Sequence, residues 1–427
     1  MGSPHRHVPS SARAPRHRSA RLDRLRPPGR ARRGPRAVWA TVAVSLALAG
    51  GPLAAVPAGG APSAADRPTV DAAAAWLRSQ QQADGGFEVA GFAGFETPDA
   101  VLALAEAAQT GSTWDADAAR AAVAAVTTGG KSPLDALDAF ASSGLDVGQA
   151  AKLIVLTAVP LGLDPAAFDP AGDGSPVDLV AVVRSGAQPD GTYGSAAAFT
   201  QTLYAALALR LVDGSVPAAT VDAVRSRQQA NGGWNFSGDP SGSDVDPDTT
   251  SLAVQALIAG GAGVADPVAG DPAVEDALGL LADEQRADGS WASPFDDGNP
   301  NSTAMAMLAI AAAGFDPDSA AWRNRVAPMS TGSPYASPSA YLRSVQAPDG
   351  HLASPNDSFP PVNTFATAQG IQGLSRGWLP VVAVVLPVGP VEVGPNPGPG
   401  VSRSEPPIQV AGARRAVPVA ARPSFTG

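Results

Sequence analysis

Three aspartates at alternate positions are the residues of this sequence best placed to do chemistry. Asp244, Asp246 and Asp248 are followed by Thr249 and then by the apolar run Leu252–Gly260. A run that is apolar on every side predicts a buried helix, so the carboxylates lie at its N-terminal end. One interpretation is structural: Asp248 caps the helix, and the other two are favourable charges near its positive end. Another is a calcium site, because carboxylates at alternate positions supply hard oxygen ligands.

A short phrase recurs along the middle of the chain. It contains a Gln, an Asp-Gly or Asn-Gly pair and, in most copies, an aromatic residue. The copies lie at 81–87, 188–193, 228–234, 285–291 and 346–352. The Asp-Gly or Asn-Gly pair predicts a turn that ends a helix, and Trp234 and Trp291 are predicted to fold back on it. A degenerate unit fits at 131–161, which gives about six units and indicates a repeat architecture.

Each unit predicts two helices of different character. The first mixes apolar and charged positions; these segments are Ala72–Gln82, Val177–Ser185, Ala218–Gln229, Ala273–Gln285 and Ser339–Gln346. The second is almost wholly apolar; these segments are Val101–Ala108, Thr202–Leu211, Leu252–Gly260 and Ala304–Ala313. Because a helix that is apolar all round must be buried all round, the pairs predict an all-α fold, an α/α toroid of about six helical hairpins. An open helical solenoid is the alternative.

The repeated phrase resembles the glutamine–tryptophan repeat of squalene and terpene cyclases. The matching copies are Trp76-Leu77 with Gln81, Leu280-Leu281 with Gln285, and Tyr341-Leu342 with Gln346. The resemblance covers residues 70–376 and implies the α/α toroid of prenyltransferase and squalene-oxidase-type repeats. The same toroid occurs in cobalamin carriers of the transcobalamin type. The resemblance therefore implies the fold, and it leaves both enzymes and carriers open.

The resemblance also implies a reaction for the three aspartates. Cyclases that protonate an alkene have an Asp-x-Asp-Asp motif, followed by Thr, at the start of an inner helix. On this match Asp246 is the proton donor, and Asp244 and Asp248 support it. The chemistry needs a carboxylic acid that keeps its proton, and neighbouring carboxylates and hydrogen bonds tune its pKa.

Acidic residues also precede other inner helices. Since the inner helices of a toroid begin on the same side, these residues predict a polar ligand-binding rim around one mouth. The predicted rim consists of Glu96, Asp99, Asp244, Asp246, Asp248, Asp296 and Asp297. Solvated acidic loops without a ligand are the alternative.

Composition excludes several classes of site. The chain has no Cys, which excludes disulfides, thiolate zinc sites and cysteine nucleophiles. Beyond the N-terminal extension His351 is the single histidine, so we expect neither a histidine-based triad nor the zinc site of protein prenyltransferases. No cofactor is predicted apart from the calcium alternative. Residues 1–65 hold 11 of the 29 basic residues and one of the 39 acidic ones, so the remainder is strongly acidic and should repel nucleic acid.

The two ends of the chain differ from the middle. Residues 1–65 are predicted to be an Arg-rich extension and export signal, in which the apolar run Ala37–Ala49 is shorter than the ~20 residues of a membrane span. A cleaved signal predicts secretion without a stable membrane span; an uncleaved signal anchor is the alternative. The toroid is predicted at 66–378, and the Pro/Gly-rich segment 379–427 is predicted to be disordered.

Three functions remain open from the sequence. The first is an exported, non-catalytic protein that binds an unknown small molecule or surface ligand at the mouth of the ring. The second is a terpene-cyclase-like enzyme that protonates an isoprenoid through Asp246. The third is an enzyme acting on polysaccharide, which would need basic residues in the cleft; Lys131 and Lys152 are the only lysines, though Arg could serve.

Overall fold

The structure is a computed structural model of the whole chain. The residues that it describes are 61–88, 94–195, 197–244, 246–261, 270–293, 296–326, 335–354, 363–377 and 379. Residues 1–60 of the predicted signal segment (1–65) and residues 380–427 of the predicted tail (379–427) lie outside the described residues. Within them the chain is helical, with one two-stranded antiparallel sheet of β1 (Trp291–Ser293) and β2 (Asp296–Asn299). No described helix joins the length and the apolarity that crossing a membrane requires.

The described part of the chain contains an inner ring of six helices. They are α2 (Thr97–Ala107), α5 (Val147–Leu153), α7 (Thr200–Asp213), α9 (Pro247–Ala259), α11 (Pro300–Ala312) and α14 (Thr364–Leu374). Helix α5 continues as a π-helical turn at 154–158, through which it packs against α2. Each inner helix packs against the next, and α14 packs against α2. The ring is therefore closed, and the open solenoid is wrong.

The other described helices pack around this ring. They are α1 (Arg67–Ser79), α3 (Ala116–Ala124), α4 (Pro133–Ser142), α6 (Leu179–Ser185), α8 (Ala218–Ser226), α10 (Pro272–Glu284), α12 (Ala321–Val326) and α13 (Pro338–Ser344). Helix α8, for example, contacts both α7 and α9, and α13 contacts both α11 and α14. The prediction of an α/α toroid with an inner and an outer ring is confirmed; the short helices α3 and α12 were not predicted.

The outer helices begin where their capping residues lie. Asp271 accepts a hydrogen bond from the backbone N–H of Ala273 (3.0 Å), and Ser337 accepts one from Ala340 (3.0 Å). In each case a Pro follows at the first helical position, where its missing N–H costs nothing. The predicted outer helices included the repeated Gln, as in Ala273–Gln285, whereas the observed helices end before it: α10 ends at Glu284.

The repeated Gln joins one hairpin to the next. The side-chain amide of Gln285 donates to the carbonyl of Gly289 (3.3 Å) in its own turn and to that of Ala336 (3.0 Å), just before α13. In the last hairpin, Gln346 donates to Gly350 (2.9 Å) and to Thr69 in α1 (2.9 Å). The contact that links neighbours thus also joins the last hairpin to the first.

The turn glycines have no room for a side chain. Gly289 has φ +93°, and a Cβ there would lie 2.7 Å from the carbonyl oxygen of Ser337. Gly350 has φ +107°, and a Cβ there would lie 2.5 Å from the carbonyl oxygen of Ala72. Only Gly combines this backbone conformation with such a close approach to the next outer helix.

A threonine fixes the start of most inner helices. The backbone N–H of Trp234 donates to the Thr250 hydroxyl (3.0 Å), and that of Trp291 donates to the Thr303 hydroxyl (3.1 Å). The Trp234 indole is fully buried and donates to the carbonyl of Val224 (2.8 Å), so the predicted packing of this ring on its hairpin is confirmed. The turn thereby holds the first residues of α9 in place.

The two ends of the ring meet at a buried carboxylate. Asp66 is fully buried and forms ion pairs with Arg343 and with Arg376 (3.1 Å). Contacts with the ring start before the predicted boundary at 66, because the N–H of Ala61 donates to the carbonyl of Gly111 (2.9 Å).

Candidate active site at the start of helix α9

Asp246 is the N-cap of α9. One of its carboxylate oxygens accepts hydrogen bonds from the backbone N–H groups of Asp248 (3.1 Å) and Thr249 (3.3 Å), and the other accepts the Thr249 hydroxyl (2.5 Å). The sequence assigned the cap to Asp248, and this was wrong. Pro247 is favoured at the first helical position, which places the cap one residue before it.

Asp248 points into the interior of the ring. Burial raises the pKa of Tyr204 in α7, and the charge of Asp248 adds to this. Burial also raises the pKa of Asp248, which the Ser302 hydroxyl at the start of α11 partly offsets, so both groups lie near Asp248. Helices α7 and α11 are the two inner-ring neighbours of α9. A side chain that lies between both of them faces the axis of the ring.

Burial governs the protonation of Asp248. It raises the pKa of this carboxyl to about 7, with the nearby charge of Asp246 acting in the same direction. The residue as a whole is half-buried, whereas its Oδ1 atom is buried and has no hydrogen-bond partner among the described residues. Asp248 therefore keeps its proton up to about pH 7, inside the ring and away from other carboxylate-binding groups at this oxygen.

The other two aspartates have different environments. Burial also raises the pKa of Asp246, which is 5% exposed, and hydrogen bonds from Thr249 partly offset this. Asp244 is exposed and accepts hydrogen bonds from Asn235 (3.1 Å) and Gln229 (3.3 Å); that from Asn235 contributes most to lowering its pKa. The three carboxyls thus bind separate partners. Calcium at these residues stays a prediction.

On the far side of the ring the predicted rim residues are buried. Glu96 is 2% exposed and Asp99 fully buried. The Asp99 carboxylate lies 3.4 Å from the Nζ atom of Lys152, which also donates to the carbonyl of Phe95 (2.9 Å). Glu96 and Asp99 belong to a buried cluster around Lys152 on this side of the ring, so they do not form a solvated rim; their predicted role in binding a ligand stays a prediction. Asp296 and Asp297 lie in β2, directly before α11.

Two buried charged residues were missed from the sequence. Burial lowers the pKa of Lys152 well below its usual value and raises that of Glu106, in α2, well above. Both residues lie in otherwise apolar helical runs. A single charged residue in such a run is a signal by which they could have been identified from the sequence. The burial of Lys152 removes it from the basic cleft that action on polysaccharide would need.

A further acidic cluster lies near the outer ring. Carboxylate oxygens of Asp138, Asp169 and Asp173 lie within 4.8 Å of one another. Asp169 accepts hydrogen bonds from the backbone N–H groups of Asp173 (3.0 Å) and Gly174 (3.0 Å). Asp138 belongs to the outer helix α4, so this cluster is separate from the three aspartates at α9.

Solved structures resemble this fold at low sequence identity. The type II terpene cyclase MstE from Scytonema is 16% identical, with a TM-score of 0.49 over 74% of this chain and 98% of that one. A variant of it in complex with its substrate geranylgeranyl dihydroxybenzoate gives 16%, a TM-score of 0.48, and coverage of 72% and 96%. A protein from Actinoplanes gives 16%, a TM-score of 0.44, and coverage of 73% and 99%. No family model and no curated protein matches the chain.

The toroid itself follows from the helix contacts of this chain, and the comparisons add a likeness at low identity. The sequence favoured a non-catalytic binding protein, whereas the similar solved structures include a type II terpene cyclase with its substrate bound. The non-catalytic interpretation is not proposed again, and the enzyme alternative is a proposal that the acid at the start of α9 supports. The likeness to cobalamin carriers stays a prediction.

Proposed function

We propose that this protein is an isoprenoid cyclase that starts its reaction by protonating a carbon–carbon double bond. The observation that supports this is the state of Asp248: a carboxyl with a pKa of about 7, directed into the ring between α7 and α11. A carboxylic acid that keeps its proton up to about neutral pH inside an apolar ring is the group that such a reaction requires.

We assign the proton to Asp248 and not to Asp246, which the sequence match favoured. Both oxygens of Asp246 accept hydrogen bonds from the first turn of α9. These bonds favour its ionised form and occupy it as a cap. The buried Oδ1 atom of Asp248 accepts none from the described residues, so no hydrogen bond at this oxygen favours the ionised form.

Protonation moves one proton and one electron pair. The O–H bond of Asp248 breaks as the π electrons of the terminal double bond form a new C–H bond, which leaves a carbocation on the other alkene carbon. Attack by the next double bond forms a ring and passes the charge along the chain. Loss of a proton from carbon to solvent ends the reaction, and Asp248 regains a proton from solvent, so the substrate is isomerised without any change in its elemental composition.

The protein stabilises the carboxylate that remains. Asp248 lies in the first turn of α9, where the unpaired N–H groups of the helix favour negative charge. The Ser302 hydroxyl favours the same form. Burial holds the proton before the reaction, and these groups stabilise the anion after it.

The test is incubation of the protein with linear isoprenoid alcohols of two, three and four isoprene units, followed by gas chromatography and mass spectrometry. We expect cyclic isomers that gain one deuterium in D₂O, since Asp248 exchanges its proton with solvent. Asp248→Asn should reduce the rate at least ~100-fold, the usual contribution of a positioned acid. The exposed Asp244→Asn is the matched control and should retain most activity.

Two results would contradict the proposal. One is the absence of cyclic product from every substrate between pH 5 and 8 while the protein is folded. The other is full activity in Asp248→Asn. Export through the N-terminal signal is a separate proposal, tested by finding the protein in the culture medium with a processed N-terminus.

A further inference from the structure

We infer that the export signal is removed at the peptide bond between Gly60 and Ala61, and that residues 61–65 stay on the mature chain as part of the closed ring. Hydrolysis of this bond consumes one water and leaves a carboxylate on Gly60 and an α-ammonium on Ala61. The inference rests on the proposed export and is independent of the proposed reaction at Asp248.

The sequence offers more than one small-residue site for this cleavage. The protease that removes export signals cuts after a small residue that has another small residue two positions before it. Ala58-Gly59-Gly60 and Ser63-Ala64-Ala65 both meet this condition. A cut after the first leaves a chain that begins at Ala61, and a cut after the second leaves one that begins at Asp66. The contacts of residues 61–66 distinguish the two.

Ser63 belongs to the fold. Its carbonyl accepts hydrogen bonds from the backbone N–H groups of Asp66 (3.0 Å) and Arg67 (2.8 Å), where α1 begins. Its hydroxyl donates to the Asp66 carboxylate (2.5 Å) and accepts the Asp66 N–H (3.2 Å). Because the first N–H groups of a helix have no partner within it, Ser63 supplies acceptors that α1 itself lacks. A cut after Ser63 or after Ala65 would remove them.

The carboxylate that Ser63 binds is the one that closes the ring. Asp66 is fully buried and pairs with Arg343 in α13 and with Arg376 after α14. The Ser63 hydroxyl and the Arg376 guanidinium bind the same oxygen, Oδ2. Ser63 therefore holds this oxygen in the position where Arg376 meets it, and the segment before α1 supports the contact between the two ends of the ring.

The charge of the new chain end also separates the two cuts. A cut after Ala65 places an α-ammonium on Asp66, the residue directly before α1. The positive end of the helix disfavours a cation there, and this cation would compete with the two arginines for the Asp66 carboxylate.

A cut before Ala61 creates no such conflict. Ala61 is half-buried and lies six residues before Arg67, which is beyond the first turn of α1. Its N–H donates to the carbonyl of Gly111 (2.9 Å), and an ammonium can make the same hydrogen bond. A chain that begins at Ala61 therefore keeps the contacts of Ser63 and Asp66.

The test uses the full chain with its own signal in a bacterial host that secretes proteins. Protein recovered from the medium is characterised by N-terminal sequencing and by intact mass spectrometry. We expect Ala61 to be the first residue. A mature chain that begins at Asp66 or at any other residue, or a chain that stays unprocessed, overturns the inference and leaves the proposed reaction at Asp248 intact.

Two matched substitutions test the position of the cut. Gly60→Leu and Ala65→Leu each enlarge the small residue before one candidate bond, and Ala65 is exposed, so the fold should tolerate the change there. We expect Ala65→Leu to be processed at Ala61 like the wild type. Gly60→Leu should lose cleavage at that bond. Normal processing of Gly60→Leu, or loss of processing in Ala65→Leu, overturns the inference.

A deletion tests the physical reason. Removing residues 61–65 from the full chain joins Gly60 to Asp66, so the same site yields a mature chain that begins at Asp66. We expect this chain to melt at least ~2 °C below the wild type, because it lacks Ser63 and carries a cation at the start of α1. An equal melting temperature shows that residues 61–65 do not support the ring and overturns the inference.

Discussion

Replacing Gln346 by Leu tests the closure of the ring. The Gln346 amide donates to Gly350 within its own turn and to Thr69 in the first hairpin, both at 2.9 Å. Leu fills a similar volume but cannot donate. Because two hydrogen bonds are lost at about 0.5–1.5 kcal/mol each, we expect the free energy of unfolding to fall by about 1–3 kcal/mol.

The matched variant is Gln285→Leu. Gln285 makes the same pair of bonds, to Gly289 (3.3 Å) and Ala336 (3.0 Å), but between consecutive hairpins in the middle of the chain. Gln285 also accepts a hydrogen bond from Arg323 (3.4 Å), so in a closed ring its replacement should cost as much as that of Gln346 or slightly more. In an open chain of hairpins Gln346 would have no partner in the first hairpin, and its replacement would remove only the bond to Gly350, about 0.5–1.5 kcal/mol.

The assay is urea unfolding of the purified full-length protein, followed by circular dichroism at 222 nm. A loss for Gln346→Leu of at most half the loss for Gln285→Leu would show that the ring is open in solution. That result would also remove the basis for placing Asp248 in a closed interior.

Two further predictions concern protons. Because the active form of Asp248 is protonated and its pKa is about 7, kcat/KM should be level below pH 6 and fall about tenfold per pH unit above 7; a rate that rises between pH 7 and 9 contradicts this assignment. Burial raises the pKa of Glu106 in the fold, so the stability that its proton provides is full below the unfolded value of about 4.3 and is lost as pH rises. Glu106→Gln should match the wild type at pH 4 and exceed it at pH 8 by about 1–3 kcal/mol in unfolding experiments, the cost of a buried polar group without a partner; equal stability at both values would exclude an ionisable Glu106.

The fold was predictable because its two kinds of helix differ in composition. Segments such as Ala304–Ala313 are apolar on every side and had to be buried, and α11 is indeed the inner helix there. Helix ends were less predictable. The sequence pattern predicted outer helices that include the repeated Gln. In the structure that Gln follows the end of the helix, where its side-chain amide reaches the next hairpin.

The site was predictable as a segment but not residue by residue. The sequence showed that Asp244, Asp246 and Asp248 precede an inner helix. It could not show which of them faces the ring, since a shift of one or two residues in the helix start decides this. Pro247 could have identified the N-cap from the sequence, because its preference for the first helical position makes Asp246 the cap. The pairing of Lys152 with Asp99 joins separate helices and was beyond any local pattern.

The closing contacts of the ring also bear on how the chain reaches its native state. Asp66 pairs with Arg343, and Thr69 with Gln346, each across 277 positions. At a synthesis rate of about 5–20 residues per second, the N-terminal hairpin waits roughly 15–55 s for its partner. Contacts so distant in sequence slow folding and leave apolar surfaces open to aggregation in the meantime. A chain of this design benefits from a chaperone that shields the half-built ring until the last hairpin emerges.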